Sequence, residues 1–258
     1  MAEPVIELRG IVNQFGSHRV HDNLDLDVHR GEVLGVVGGS GTGKSVLLRT
    51  IAGLRPPQGG SIRIFGQDAL NCPESTRRAI DMRMGVMFQD GALFSSLTVR
   101  ENVEVPLRNL GGLAAGMRRE LADLKIAMSG LPYFAGDKYP SELSGGMRKR
   151  AGLARALALD PEIVFLDEPT AGLDPIGASA FDELIKALSD TLGLTVFLVT
   201  HDLDTLHATC DRIAVLAEKR VMYTGTMQDM LHIEHPWVHE YFHGPRARAA
   251  IETLERNA

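Results

Sequence analysis

Eight residues, Gly38-Gly39-Ser40-Gly41-Thr42-Gly43-Lys44-Ser45, limit the folds open to this sequence more than anything else in it. They follow Val33-Leu34-Gly35-Val36-Val37, an unbroken apolar run of the kind found in strands buried on both faces. They lead into residues 45–52, whose spacing predicts a helix. Between strand and helix, the pattern GxxxxGK[ST] has a physical purpose. Its glycines let the backbone curl so that successive N–H groups point inward at phosphate oxygens. The positive end of the following helix adds to that field. Lys44 brings a mobile charge to the β- and γ-phosphates, and Ser45 a hydroxyl for Mg2+. Gly38 through Ser45 are therefore expected to hold a nucleotide.

A complement to this loop lies far along the chain. Ile163-Val164-Phe165-Leu166 reads as a second buried strand, and Asp167-Glu168 follows at its carboxyl end, where open α/β sheets place their ligands. Asp167 is positioned to hold Mg2+ through its water shell. Glu168, next along, is positioned to reach a water in line with the γ-phosphate. By itself, such an acid pair is also what a solvated turn looks like.

Short β-rich pieces at residues 5–12, 24–28, 33–37 and 61–65 are separated by turn clusters such as Arg55-Pro56-Pro57-Gln58-Gly59-Gly60. Residues 84–88 read as a further strand. From about 99 to 159 the pattern is mainly helical, broken at Gly111-Gly112, Gly130-Leu131-Pro132 and Gly145-Gly146. Strand signals return at 163–166, 195–199 and 213–216, with a helix over 175–192 that Pro175 is suited to start. A hairpin pairs 213–216 with 221–224. The expected division is an α/β nucleotide-binding core from 1–89 and 160–234, a helical insertion at 90–159, and a helical tail at 235–258. In the tail, Trp237, Tyr241 and Phe242 are expected on one helical face, which suits either packing on the chain's own core or docking elsewhere.

The totals exclude several classes. A net charge of -6 over 258 residues gives no general attraction to nucleic acid or anionic lipid. Cys72 and Cys210 lack zinc or CxxC spacing, which fits a reducing compartment. No signal peptide or membrane-length apolar run is read, so a cytosolic location is expected.

Leu143-Ser144-Gly145-Gly146-Met147-Arg148-Lys149-Arg150 sets the chain apart from other phosphate-loop proteins. Ser144 has N-cap chemistry, and Gly145-Gly146 open a helix running on through residues 151–159. That is a second anion-binding helix start, set in the helical insertion. If it stands too far from the loop of its own chain, a second copy facing head to tail would complete the nucleotide site.

With these motifs in order, the sequence resembles the ATPases of ABC transporters across almost its whole length. Lys44 and Ser45 match the Walker A motif, and Asp167 and Glu168 match Walker B. Residues 143–147 match the LSGGQ signature, with Met147 in place of the glutamine, which puts in doubt any contact made by that glutamine's side chain. The resemblance implies roles for further residues. Gln89 matches the Q-loop glutamine that senses the γ-phosphate and Mg2+, Asp174 closes the D-loop Ala171-Gly172-Leu173-Asp174, His201 matches the switch histidine, and Phe15 stands where an aromatic stacks on adenine. Taken singly, Gln89 reads as a solvated loop amide, His201 as a strand-end histidine and Phe15 as a core aromatic.

The resemblance further implies a RecA-like P-loop core with an antiparallel β subdomain and an inserted helical subdomain. It also implies ATP and Mg2+ as cofactors, a head-to-tail dimer, catalysis by Glu168, His201, Lys44 and Gln89, and membrane-embedded permease subunits above. Residues 38–48, 143–150 and 89–99 are similar to ATPases of the Mla/MCE lipid-transport branch. That likeness implies phospholipid movement between inner and outer membranes, an MCE-domain protein, a small STAS-domain partner, and a place at the cytoplasmic face of the inner membrane. Leu93, Phe94 and Leu97 are expected to form an apolar patch after the Q-loop that receives the permease, or in part to belong to the subdomain core. An importer of small solutes, and an ABC protein acting on ribosomes or DNA, remain as alternatives.

Overall fold

The computed structural model describes residues 3–244, so the tail from 245 onward and Met1-Ala2 lie outside the described residues. Two sheets form the frame. The smaller is antiparallel, in the order β2-β1-β4-β5, from β1 (Pro4–Phe15), β2 (His18–His29), β4 (Gly59–Ile64) and β5 (Gln67–Asp68). Here β1 and β2 extend well beyond the expected 5–12 and 24–28, because backbone pairing continues out to Phe15 opposite His18 through residues with no apolar alternation.

The larger sheet runs β10-β9-β3-β8-β7-β6. Its parallel strands are β3 (Val33–Val37), β6 (Met84–Met87), β7 (Ile163–Asp167), β8 (Thr195–Val199) and β9 (Arg212–Ala217), with β10 (Arg220–Gly225) antiparallel at the edge. β3, β7 and β8 are buried at every position, as their unbroken apolar content requires. Phe165 and Phe197 meet across neighbouring strands with ring centroids 5.7 Å apart.

The register matters most for function. Val36 pairs with Val199, Asp167 with Val199, and Met87 with Leu166, so four parallel strands end level with one another. The chain leaving each of them carries one of the predicted motifs, and all emerge along a single edge.

Helices cover both faces. α1 (Lys44–Ile51) buries Leu47, Leu48 and Ile51 between the sheets. α6 (Pro175–Leu192) covers the opposite face with Phe181 and Ile185. The insertion holds α3 (Val99–Leu107), α4 (Ala115–Met128) and α5 (Gly145–Ala156) around a cluster of its own. Gly145 and Gly146 are the first residues of α5 and not a break in it; the chain turns at Leu143 and Ser144. The strand expected over 84–88 stops at Met87, and α5 gives way after Ala156, short of 159.

Three of the described α-helices were not expected: α2 (Glu74–Asp81), which buries only Ile80, and the short α7 (Leu203–Thr209) and α8 (Met227–Leu231). α8 and α9 (Pro236–His243) follow the hairpin. Val238 and Phe242 of α9 are buried against Val37, Leu206 and Val215, and Trp237 stacks on Tyr241 at 4.9 Å. The described part of the tail therefore packs on its own core. Among the described residues, no helix is long and apolar enough to cross a membrane.

Candidate functional site

The phosphate loop leaves β3 and turns on itself, with Thr42 Oγ1 donating to the Gly39 carbonyl at 2.9 Å. Gly43 ends it at φ 96°, and a Cβ there would stand 2.3 Å from Val20 and 2.6 Å from His21, so only glycine fits. Gly43 is also the N-cap of α1 and offers no side-chain cap. The first N–H groups of the helix thus face the loop, the arrangement that suits an anion. Lys44 Nζ reaches back over the loop to the carbonyls of Gly38 at 2.8 Å and Gly39 at 3.1 Å. Its burial draws the ammonium pKa down, and Glu168 and Asp167 oppose that.

Ser45 and Asp167, far apart in sequence, are brought together: the Ser45 hydroxyl donates to Asp167 Oδ1 at 2.8 Å. A hydroxyl and a nearly buried carboxylate are hard oxygen donors of the kind Mg2+ takes, leaving its other positions for water and phosphate. Glu168 has φ 50°, a left-handed conformation that costs a non-glycine residue about 1–3 kcal/mol. Its N–H donates to the Val199 carbonyl at 2.8 Å, and its carboxylate Oε2 lies 2.8 Å from His201 Nδ1. The Glu168 side chain is 14% exposed and that of His201 69%, so the pair opens to solvent on the histidine side.

Other predicted residues have plainer surroundings. Gln89 is exposed, and its main-chain carbonyl accepts from Lys149. Phe15 is 44% exposed, with the Arg55 guanidinium 3.6 Å from one ring face, so a single face is left for a base. Ser144 caps α5, accepting from Met147 N at 3.2 Å, and both it and Gly145 are exposed. Gly146 lies close to Leu173 of the D-loop. Met147 packs on the cluster of the helical insertion, so the residue standing in for glutamine is used in packing. Asp174 caps α6 through Gly177 N at 2.9 Å. Of the expected patch, Leu93 packs inward while Phe94 is 52% exposed.

Sequence reasoning passed over several residues that shape the site. Asn102, fully buried, takes the Phe94 N–H at 2.7 Å and donates to the carbonyls of Phe94, Leu97 and Thr98, fastening the loop that turns Phe94 outward. Thr170, just after Glu168, meets Thr205 of α7 at 3.2 Å, and Thr205 donates to buried Asp182 at 2.9 Å. Burial pushes the Asp182 carboxyl up to about 7. Thr205 and Asp182 did not stand out, since a lone polar residue on a helix usually faces water.

His21 is another. It lies fully buried beneath Gly43, with Asn13 Nδ2 2.9 Å from its Nδ1. Burial draws its pKa down to about 4, and the nearby Thr42 and Gly43 backbone only partly offsets this. The unfolded chain, with an ordinary histidine near 6.5, then takes up the proton first as pH falls. Stability from this group is complete above about pH 6.5 and is lost towards pH 4. Between pH 7.5 and pH 5, the wild type should lose about 2 kcal/mol more than His21→Asn. Urea melts of both proteins at the two pH values measure this.

Known proteins resemble this chain in sequence and in fold. The sequence model of the ABC transporter family matches residues 21–171. The intermembrane phospholipid transport system ATP-binding protein MlaF of Haemophilus influenzae is 37% identical over 231 residues, 90% of this chain and 87% of that one. The probable ribonucleotide transport ATP-binding protein mkl of Mycobacterium leprae is 39% identical over 243 residues, covering 93% and 69%. The methionine import ATP-binding protein MetN of Caulobacter vibrioides is 41% identical over 215 residues, covering 83% and 64%. Among solved structures, the dimeric post-hydrolysis state of the cassette MJ0796 bound to ADP and Pi superposes with a TM-score of 0.79 at 30% identity, covering 86% and 98%. With its motifs gathered on one sheet edge and these matches in sequence and fold, the chain belongs to the ABC transporter family and is an MlaF-like ATP-hydrolysing cassette.

Proposed function

We propose that this cassette works as a head-to-tail homodimer, each ATP lying between one chain's phosphate loop and the other's Ser144 helix, and that it powers phospholipid transport beneath an Mla/MCE-type permease. The observation that carries the dimer is the placement of Ser144 and Gly145, exposed on the helical insertion at the start of an anion-suited helix. Lys44 and the loop N–H groups hold the phosphates, and Phe15 offers its free face to the adenine. Mg2+, held by Ser45, Asp167 and the Q-loop Gln89, would neutralise charge on the β- and γ-phosphates. Glu168 orients the attacking water and His201 steadies the γ-phosphate, while Ser144 and Gly146 of the second copy close the site and Asp174 lies at the junction. Loss of the γ-phosphate removes contacts bridging the copies, and the helical insertion carries that loosening outward.

The cargo reading rests on the match to MlaF over nearly the full length of both chains. Phe94, presented on its fastened loop, fits a permease contact. On this reading the cassette sits peripherally at the cytoplasmic face of the inner membrane, with an MCE-domain protein and a STAS-domain protein in the assembly. The similarity to MetN favours a second reading, an importer of small solutes such as amino acids.

Purification of the tagged chain from solubilised membranes separates these. Copurifying permease, MCE-domain and STAS-domain proteins, with phospholipid, are expected. A permease paired with a solute-binding protein would favour the importer, and ribosomes or DNA in place of a permease would refute both readings.

A further inference from the structure

Lys149 lies on α5, a little over one turn from the Ser144 cap, in a run of three basic residues, Arg148-Lys149-Arg150. It is only 6% exposed. Its ammonium donates to the main-chain carbonyl of Gln89 and, at 2.9 Å, to that of Glu168. Farther along the same helix, Arg155 donates to the carbonyls of Gly91 at 3.0 Å and Ala92 at 2.6 Å. Gly152 faces the same loop, where a Cβ would stand 2.9 Å from the Gly91 Cα. The Q-loop therefore runs along α5 under two cations, and Lys149 joins both to the end of β7.

Glu168 is pinned on either side of its Cα. Its N–H is tied to Val199 of β8 and its carbonyl accepts from Lys149 at 2.9 Å and, less closely, from the Ala171 N–H at 3.3 Å, while its φ is held at 50°. Losing the shorter, charged contact from Lys149 would leave the carbonyl only the longer one from Ala171, letting the residue relax from this uncommon conformation and swing its carboxylate away from His201. We infer that Lys149 is a positioning residue for hydrolysis: from the signature helix it pins the Glu168 carbonyl, so that the aim of the Glu168 carboxylate follows the position of α5 and the Q-loop. This rests on the reading of Glu168 as the group that orients water. Burial draws the Lys149 pKa down, and Asp90, Glu168 and Asp167 hold it up. The sequence hid this role, because a lysine between two arginines reads as a solvated charge.

The test uses the full chain in the membrane complex with which it purifies. ATP turnover, KM for ATP and thermal melts are compared for the wild type, Lys149→Met, Lys149→Arg, Lys149→Gln and Glu168→Gln. Lys149→Met should lower kcat about tenfold or more while KM stays within about twofold, because the phosphate loop is untouched. Lys149→Arg, which keeps a charged donor, should recover kcat to within about threefold of wild type. If Lys149→Met does not melt cooperatively, Lys149→Gln, which keeps a single donor group, carries the same kcat-against-KM comparison. An unchanged kcat, a KM that rises in step with the loss, or no recovery with arginine overturns the inference. Glu168→Gln separates the two failures. If that variant turns over normally, the reading of Glu168 fails; if it is inactive while Lys149→Met is fully active, the role of Lys149 alone fails.

Discussion

Glu168→Gln should bind ATP within about threefold of the wild type and hydrolyse it about 10²-fold more slowly or worse. The amide keeps the shape of the side chain and removes its negative charge, the property that lets the carboxylate polarise a water. Glu168 Oε2 sits 2.8 Å from His201 in a mostly enclosed position, while the phosphate loop is left to Lys44 and the backbone N–H groups. The left-handed conformation of Glu168, held by its neighbours, fits the proposed role of an acid kept aimed at a water. Phosphate release and nucleotide titration, measured on one preparation, decide the matter. A variant with normal turnover would remove Glu168 from the chemistry. Trapped with ATP, the same variant should run as a dimer on gel filtration, since the bridging γ-phosphate then persists; a strict monomer would count against the closed-dimer reading.

Lys44→Ala should weaken ATP binding by about 10²-fold or more, beyond the range of a typical titration. The lysine is held over the loop by the Gly38 and Gly39 carbonyls, placed to trade these contacts for phosphate oxygens. Near Asp167 and Glu168 the site otherwise carries negative charge, so removing the cation leaves the triphosphate facing two carboxylates. Lys44→Met, which keeps most of the stem's packing, should behave the same way and shows that charge is at issue. Retained affinity in both variants would overturn the phosphate-site assignment, and an altered melting profile would point to damage in the fold.

The phosphate loop, the acid pair and the serine-led helix were readable because each is a local pattern, a few residues whose spacing dictates a turn or a cap. The buried strands were readable for the same reason, as runs without a polar residue. Other elements were not. α2 is so rich in charge that only Ile80 is buried, which leaves no apolar period to detect. The outer halves of β1 and β2 carry Asn13, Gln14, His18 and Arg19, and they are strands because each backbone pairs with the other. Likewise Asn102 is polar and looks solvent-bound, yet it is fully buried because the carbonyls of Phe94, Leu97 and Thr98 surround it.

What the residues alone supplied was the proposed chemistry: a candidate triphosphate cradle, a hydroxyl and an acid suited to a divalent cation, a second acid suited to a water, and a helix start suited to another anion. Those depend on neighbours along the chain. The tertiary structure alone decided that the ends of β3, β6, β7 and β8 lie level, that Ser45 meets Asp167 and Glu168 meets His201, and that Lys149 spans the Q-loop and β7. These pairings join segments far apart in sequence. Their partners are largely main-chain carbonyls and strand ends, whose positions come from the order of the sheet and from the close approach of α5, and no local pattern encodes either.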